Sequence, residues 1–195
     1  MTVKERHNEL RDMSEKTLMK ELASGMHDAF GEVIDRYGPM VARTSYRILC
    51  DRADSEDITR KVFTRMWNMV PFFDESIPVS FRFYRITCRL CVRRLIKRSI
   101  LEFFSVRQPV YEMSPPPSSG SEEDYIIEES WSIFCRASRN LSPKQRVVYV
   151  LMELEQMTAE EVAEITGIYV EHVIDCLHQA KEKVRSELEI YGEVK

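Results

Sequence analysis

Cations dominate the residues that can do chemistry. Arg82, Arg85, Arg89, Arg93, Arg94, Lys97 and Arg98 put seven positive charges into a stretch without an acid. At about 100° per residue, Arg82, Arg85, Arg89, Arg93 and Lys97 share one stripe of a helix, while Phe83, Tyr84, Cys88, Leu90, Cys91 and Leu95 fall mostly on the remainder. Like charges at i,i+4 repel by a few tenths of a kcal/mol each, so the stripe calls for an anion from outside. A phosphate backbone meets that need; the alternative is a solvated face, or one partnered by acids from elsewhere in the chain. Phe81, Phe83 and Tyr84, with Phe72 and Phe73 just upstream, are placed either to stack on unpaired bases or to fill a core.

A second set lies further on. Glu171, His172, Asp175, His178, Gln179 and Lys181 project from one helix, with Tyr169 in the turn before it and Lys144 and Arg146 upstream. The start of such a helix reads base edges when it enters a major groove. Here that end is not basic: phosphate repels Glu171 and Asp175, although an acid can accept a hydrogen bond from the amino group of cytosine. Cys88-x-x-Cys91 is a metal- or redox-like spacing, but it has no second pair and both thiols point to the apolar side, which reads as structural. P-loop, GxSxG, HExxH and dinucleotide-binding patterns are absent, and no cofactor is expected. Asp54, Glu56 and Asp57 suit a helix's first turn better than acid–base catalysis.

The elements that must position these residues are helical. Phe30, Val33, Ile34 and Tyr37 predict a helix ending at Gly38-Pro39, and Val41, Ser45, Ile48 and Leu49 a second one with proline at its start. Asp54 is the expected cap of a third, whose apolar residues Ile58, Val62, Met66 and Val70 recur every fourth position until Pro71. After a loop over 71–80 comes the basic helix. Ser142-Pro-Lys-Gln145 and Thr158-Ala-Glu-Glu161 are capping boxes, and Gly167 closes the short helix opened by the second. Val170, Val173, Leu177, Ala180, Val184 and Leu188 then line a longer helix, which completes a helix-turn-helix.

The 195 residues carry a formal charge of −4, a figure that hides segregation. From Leu141 to Lys195 eleven acids face six bases, unlike the wholly basic helix. Ser114-Pro-Pro-Pro-Ser-Ser-Gly-Ser-Glu-Glu-Asp124 reads as an exposed, flexible linker. The expected architecture is therefore all-α: two small helical domains, 1–105 and 131–195, joined by a Pro/Ser-rich acidic linker at 106–130. No apolar run is long enough to cross a membrane and no export signal is visible, so the expected location is the cytoplasm, and the five cysteines are expected to be buried free thiols rather than a disulfide framework.

Taken in order, Asp28-Ala-Phe-Gly-Glu-Val-Ile-Asp-Arg-Tyr37, Asp54-Ser-Glu-Asp57-Ile with Val62-Phe63 and Trp67, Ser80-Phe-Arg with Tyr84-Arg-Ile86, Leu141-Ser-Pro-Lys-Gln-Arg146, Ala159 to Ile168 and Leu177-His-Gln-Ala180 resemble the extracytoplasmic-function type of bacterial RNA polymerase sigma factor. The likeness runs from about Ala23 to Leu188. It implies a non-catalytic initiation subunit that directs core polymerase to promoters and helps open them. Its implied contacts are polymerase at Asp54, Glu56, Asp57, Ile58, Arg60, Lys61 and Phe63, on the β′ clamp with a further contact on the β flap. The −10 element falls to Phe81, Arg82, Phe83, Tyr84, Arg85, Arg89, Arg93 and Lys97. The −35 element falls to Lys144, Arg146, Tyr169, Glu171, His172, Asp175, His178 and Lys181. The resemblance also implies that a cognate anti-sigma protein is common, and it implies no membrane insertion. Arg60 and Lys61 stand where the family usually has glutamine and an acid, Arg89 and Arg93 replace an asparagine and an aspartate, and His172, Ile174, Asp175 and Cys176 replace the usual recognition residues. Promoter specificity therefore does not carry over from relatives. Two other readings remain: a stand-alone helix-turn-helix regulator, and a sigma-like polymerase-interaction protein with reduced promoter reading.

Overall fold

After a helical stretch at residues 9–12, Ser14 accepts a hydrogen bond from the Thr17 amide at 3.2 Å and so starts α1 (Glu15–Ala23). A computed structural model describes residues 9–70, 76–104 and 131–193, and every regular element among them is helical. After α1 come α2 (Asp28–Leu49), α3 (Arg52–Met69) and α4 (Val79–Phe104). The C-terminal part holds α5 (residues 131–137), a 3-10 turn (Ser138–Asn140), α6 (Pro143–Tyr149) running into a π turn (Val150–Leu154), α7 (Ala159–Thr166) and α8 (Val170–Glu193).

Two expected boundaries are corrected. The helix does not stop at Gly38-Pro39: α2 runs through Pro39. Proline inside a helix deprives the carbonyl four residues earlier of its donor and costs about 3 kcal/mol, but Ala29, Val33, Tyr37, Val41 and Ile48 are all buried on one face that spans it, and their combined burial outweighs that cost. The cap of α3 is Asp51 rather than Asp54, because the Asp51 carboxylate accepts from the Asp54 amide at 2.8 Å. The expected capping boxes at Ser142/Gln145 and Thr158/Glu161 both form, and Gly167 ends α7 at φ 76°, a left-handed conformation that glycine adopts without a Cβ clash.

In the packed arrangement α1 lies on α2, and α2, α3 and α4 pack on one another. The other face of α4 receives α6 and α7, while α8 lies across both. One hydrophobic core runs through all of these helices, from Leu18, Val33 and Phe83 to Val148, Leu151, Ile165 and Val173. Leu188, expected on the apolar face of α8, is exposed. The linker expected at 106–130 and the first half of the loop expected at 71–80 lie outside the described residues, and the loop ends earlier than expected because α4 begins at Val79.

Candidate nucleic-acid interface

Three of the cations on α4 face solvent. Arg89, Arg93 and Lys97 are exposed at successive i,i+4 positions, and they form no ion pair among the described residues. Arg82 and Arg85 are half-buried at the start of the same stripe, and Arg85 donates to the Glu164 carbonyl on α7 at 2.7 Å. Arg94 and Arg98 turn the other way. Arg94 pairs with Asp54 at 2.8 Å and with Asp57, and Arg98 with Asp51 at 2.9 Å and with Asp54. The seven charges thus divide: two are matched by acids of α3 and staple the helices together, while a row of three remains open to an external anion.

The aromatic residues near the stripe mostly serve the core. Phe83 is fully buried, stacked on Tyr37 at 4.6 Å between ring centroids and tilted against Phe63 at 5.3 Å. Tyr84 is buried and donates its hydroxyl to Glu155 at 3.2 Å; burial, then the charge and hydrogen bond of Glu155, push its phenol up to about 12. Phe81 is half-buried against the same core. In this arrangement neither Phe83 nor Tyr84 offers an open face to a base. Phe72 and Phe73 lie outside the described residues.

The residues expected to dock on a polymerase divide in a similar way. Ile58 and Phe63 are core residues, so their burial corrects the expectation of a surface contact there. Asp54 and Asp57 are engaged by α4, and the Lys61 ammonium, bonded at 2.6 Å, together with the charge of Arg94, holds the Asp57 carboxyl below the usual carboxylate range against the opposing effect of burial. Glu56, Arg60 and Lys61 remain exposed, with Glu56 bridged to Arg52 at 3.1 Å.

The helix-turn-helix has the expected shape, with α7, the left-handed Gly167, and α8 in sequence. Tyr169 is 77% exposed in the turn, its ring edge-on to His172 at 6.1 Å. Glu171, His172, Asp175, His178 and Lys181 all face solvent along α8, and Lys181 bridges to Glu153 at 2.8 Å. Lys144 is exposed as well. Arg146 is the exception and is corrected here: it is buried, donating to the Ile48 carbonyl at 3.3 Å and to the Ser138 carbonyl, which ties α6 to the end of α2 instead of presenting a charge to DNA.

One cluster had no signature in the sequence. The Glu155 side chain, 3% exposed, receives Arg43 at 2.9 Å and Arg47 at 3.0 Å, together with the hydroxyls of Thr44 and Tyr84 at 3.2 Å each. Burial alone would raise this carboxyl. The hydrogen bond and charge of Arg43, the charge of Arg47 and the Tyr84 hydroxyl outweigh it and hold Glu155 below the usual glutamate range. The residue lies 112 positions from Arg43 in the chain, so no local motif marks the pair.

An all-α chain with a helix-turn-helix and an uncompensated cationic row on a second helical unit has the build of a DNA-binding transcription protein. Residues 33–100 match the family model for sigma-70 region 2. SigW, an extracytoplasmic-function sigma factor of Bacillus subtilis, is 25% identical over 183 residues, covering 91% of this chain and 98% of its own length. Among solved structures, CnrH in complex with the cytosolic domain of CnrY superimposes with a TM-score of 0.66 at 20% identity, covering 90% of this chain and 97% of CnrH. The sigma factor RpoE of Bartonella quintana, bound to the anti-sigma factor NepR, gives 0.66 at 15% identity, with coverage of 83% and 97%. Along most of its length the chain is similar to extracytoplasmic-function RNA polymerase sigma factors, and its residues 33–100 carry the match to sigma-70 region 2.

Proposed function

We propose that this chain works in the cytoplasm as a promoter-recognising subunit, a binding protein without catalytic residues that core RNA polymerase takes up to begin transcription. The observation that carries this reading is the exposed Arg89, Arg93 and Lys97 row inside the stretch that matches sigma-70 region 2. Residues 1–105 dock on polymerase and hold the −10 element, 131–195 meet the −35 element, and 106–130 connect them. Glu56, Arg60 and Lys61 are the exposed members of the docking set on α3 and face the β′ clamp; the helix-turn-helix unit meets the β flap.

The α4 row captures the phosphates of the opened strand. Unstacking a base costs a few kcal/mol, and stacking on an aromatic ring returns about 1–3 kcal/mol per base, so cationic capture and stacking together can hold a short melted stretch. Phe81 is the half-buried aromatic nearest the row in sequence, and Tyr84 becomes available when Glu155 withdraws. Because CnrH was solved in complex with the cytosolic domain of CnrY and RpoE with the anti-sigma factor NepR, an anti-sigma partner is proposed for this chain.

The test is co-elution of the purified chain with core polymerase in gel filtration. The wild-type chain should move with the core, and a variant carrying Arg60→Glu and Lys61→Glu should bind it roughly tenfold more weakly, because two charges are reversed on the exposed face. A wild-type chain that elutes apart from core polymerase contradicts the proposal.

A further inference from the structure

Cys50 and Cys135 come from two separate described segments, and their thiols share a hydrogen bond where α5 packs against the end of α2. Both are buried, and both touch Ser138: the Cys50 sulfur is 3.6 Å from the Ser138 Oγ, which donates to the Cys135 carbonyl at 2.8 Å. Two guanidiniums bracket the site. Arg146 donates to the Ile48 and Ser138 carbonyls, and Arg98 to the Leu49 carbonyl at 3.3 Å, immediately before Cys50. Cys50 itself sits at φ 50°, a left-handed position where a side chain is costly and glycine or asparagine is the usual occupant.

We propose that Cys50 and Cys135 are a redox-active pair, which a peroxide oxidises to a disulfide that staples the 9–104 segment to the 131–193 segment. The roles of the two sulfurs follow from their surroundings. The hydrogen bond from the Cys135 thiol and the charges of Arg146 and Arg98 outweigh burial and hold the Cys50 thiol below its ordinary value, whereas Cys135, as the donor of that bond, is pushed up. Cys50, which follows the Leu49 carbonyl held by Arg98, is assigned as the thiolate that attacks and Cys135 as the thiol that resolves. The remaining cysteines differ: burial pushes Cys88 up to about 12 and Cys91 well up, and Cys176 is raised by burial too.

The chemistry balances with hydrogen peroxide, an oxidant little larger than water, as the two-electron acceptor. The Cys50 thiolate attacks one peroxide oxygen, the O–O bond breaks, hydroxide leaves, and a sulfenic acid forms on Cys50. Cys135 then attacks that sulfur, the S–S bond forms as the S–O bond breaks, and the departing hydroxide takes up the Cys135 proton as water. Overall, two thiols are oxidised and one peroxide is reduced to two waters.

The experiment uses the full-length reduced chain, treated with hydrogen peroxide, quenched with an alkylating agent and analysed by intact mass and peptide mapping. The expected product has two fewer alkylatable thiols than the five of the reduced chain, and the map shows a Cys50–Cys135 linked peptide that dithiothreitol removes. A disulfide between other cysteines, sulfinic acid on Cys50 without a link, or five unreacted thiols would overturn the proposal. A second arm uses Cys135→Ser: without its resolving partner, Cys50 should be trapped by dimedone as a sulfenic acid, and dimedone labelling of any other cysteine instead rejects the assigned order. A third reads urea unfolding of the wild-type chain. A bridge that fits the native packing raises the midpoint of the oxidised form above that of the reduced form, and a lowered midpoint shows that it formed in another arrangement. None of these readouts involves polymerase, so they stand or fall apart from the proposed function.

Discussion

Glu155 carries a negative charge into a site where its side chain keeps 3% exposure, and four donors from α2 and α4 hold it there. Arg43 and Arg47 are themselves partly exposed, so the contact is worth less than a fully buried ion pair; replacing Glu155 with alanine should cost about 1–3 kcal/mol. The pH dependence follows from the direction of the shift. A carboxyl lowered in the folded state contributes stability that is complete above the ordinary glutamate range and is lost as pH falls through its lowered folded value. Urea midpoints measured across the acid range should therefore fall more steeply for the wild-type chain than for Glu155→Gln, and parallel curves would show that the ionised carboxylate does not hold the two segments. At this scale the sequence was least informative. Glu155 sits beside four other acids between Leu141 and Glu164 with nothing to set it apart, and Arg146 looked like one more surface cation until tertiary packing buried it.

The helices themselves were legible wherever the signal was local. The capping boxes at Ser142/Gln145 and Thr158/Glu161, the left-handed Gly167 and the buried every-fourth-residue series on α3 depend only on neighbours within one turn, and all of them form. Gly38-Pro39 misled because a local breaker competed with an apolar face that continues on both sides of it, and the face prevailed. The basic stripe was legible as a stripe. Which of the seven cations stay open was not, since Arg94 and Arg98 find their acids on a separate helix. This division sets the sharpest test of α4. Replacing Arg89, Arg93 and Lys97 together with alanine should leave the urea midpoint within about 0.5 kcal/mol of wild type, because the three side chains are exposed. The same change should reduce the slope of log affinity against log salt by about 2–3 in promoter binding by the polymerase-bound chain. An unchanged slope would move the phosphate contacts elsewhere.

As a whole, the molecule buries part of the face proposed to meet nucleic acid. The C-terminal helices cover one side of α4, Glu164 holds Arg85, Glu155 holds Tyr84, and one core is continuous from α1 to α8. The resemblance foresaw two helical units in the right order, but the way they close on each other depends on contacts across more than a hundred residues, which no window of sequence displays. The net charge of −4 is likewise a sum over unlike parts: an exposed cationic row on α4 and an acidic recognition helix. Under the proposed function, promoter affinity is expected to come chiefly from α4, with α8 contributing position more than charge. The central claim, that this chain selects promoters for RNA polymerase, is tested most directly by adding the purified protein to core polymerase with genomic DNA fragments and sequencing the 5′ ends of the transcripts. The account predicts discrete start sites that depend on the added chain and share an upstream sequence pattern. Transcripts that begin at the same scattered positions with or without the chain would contradict it.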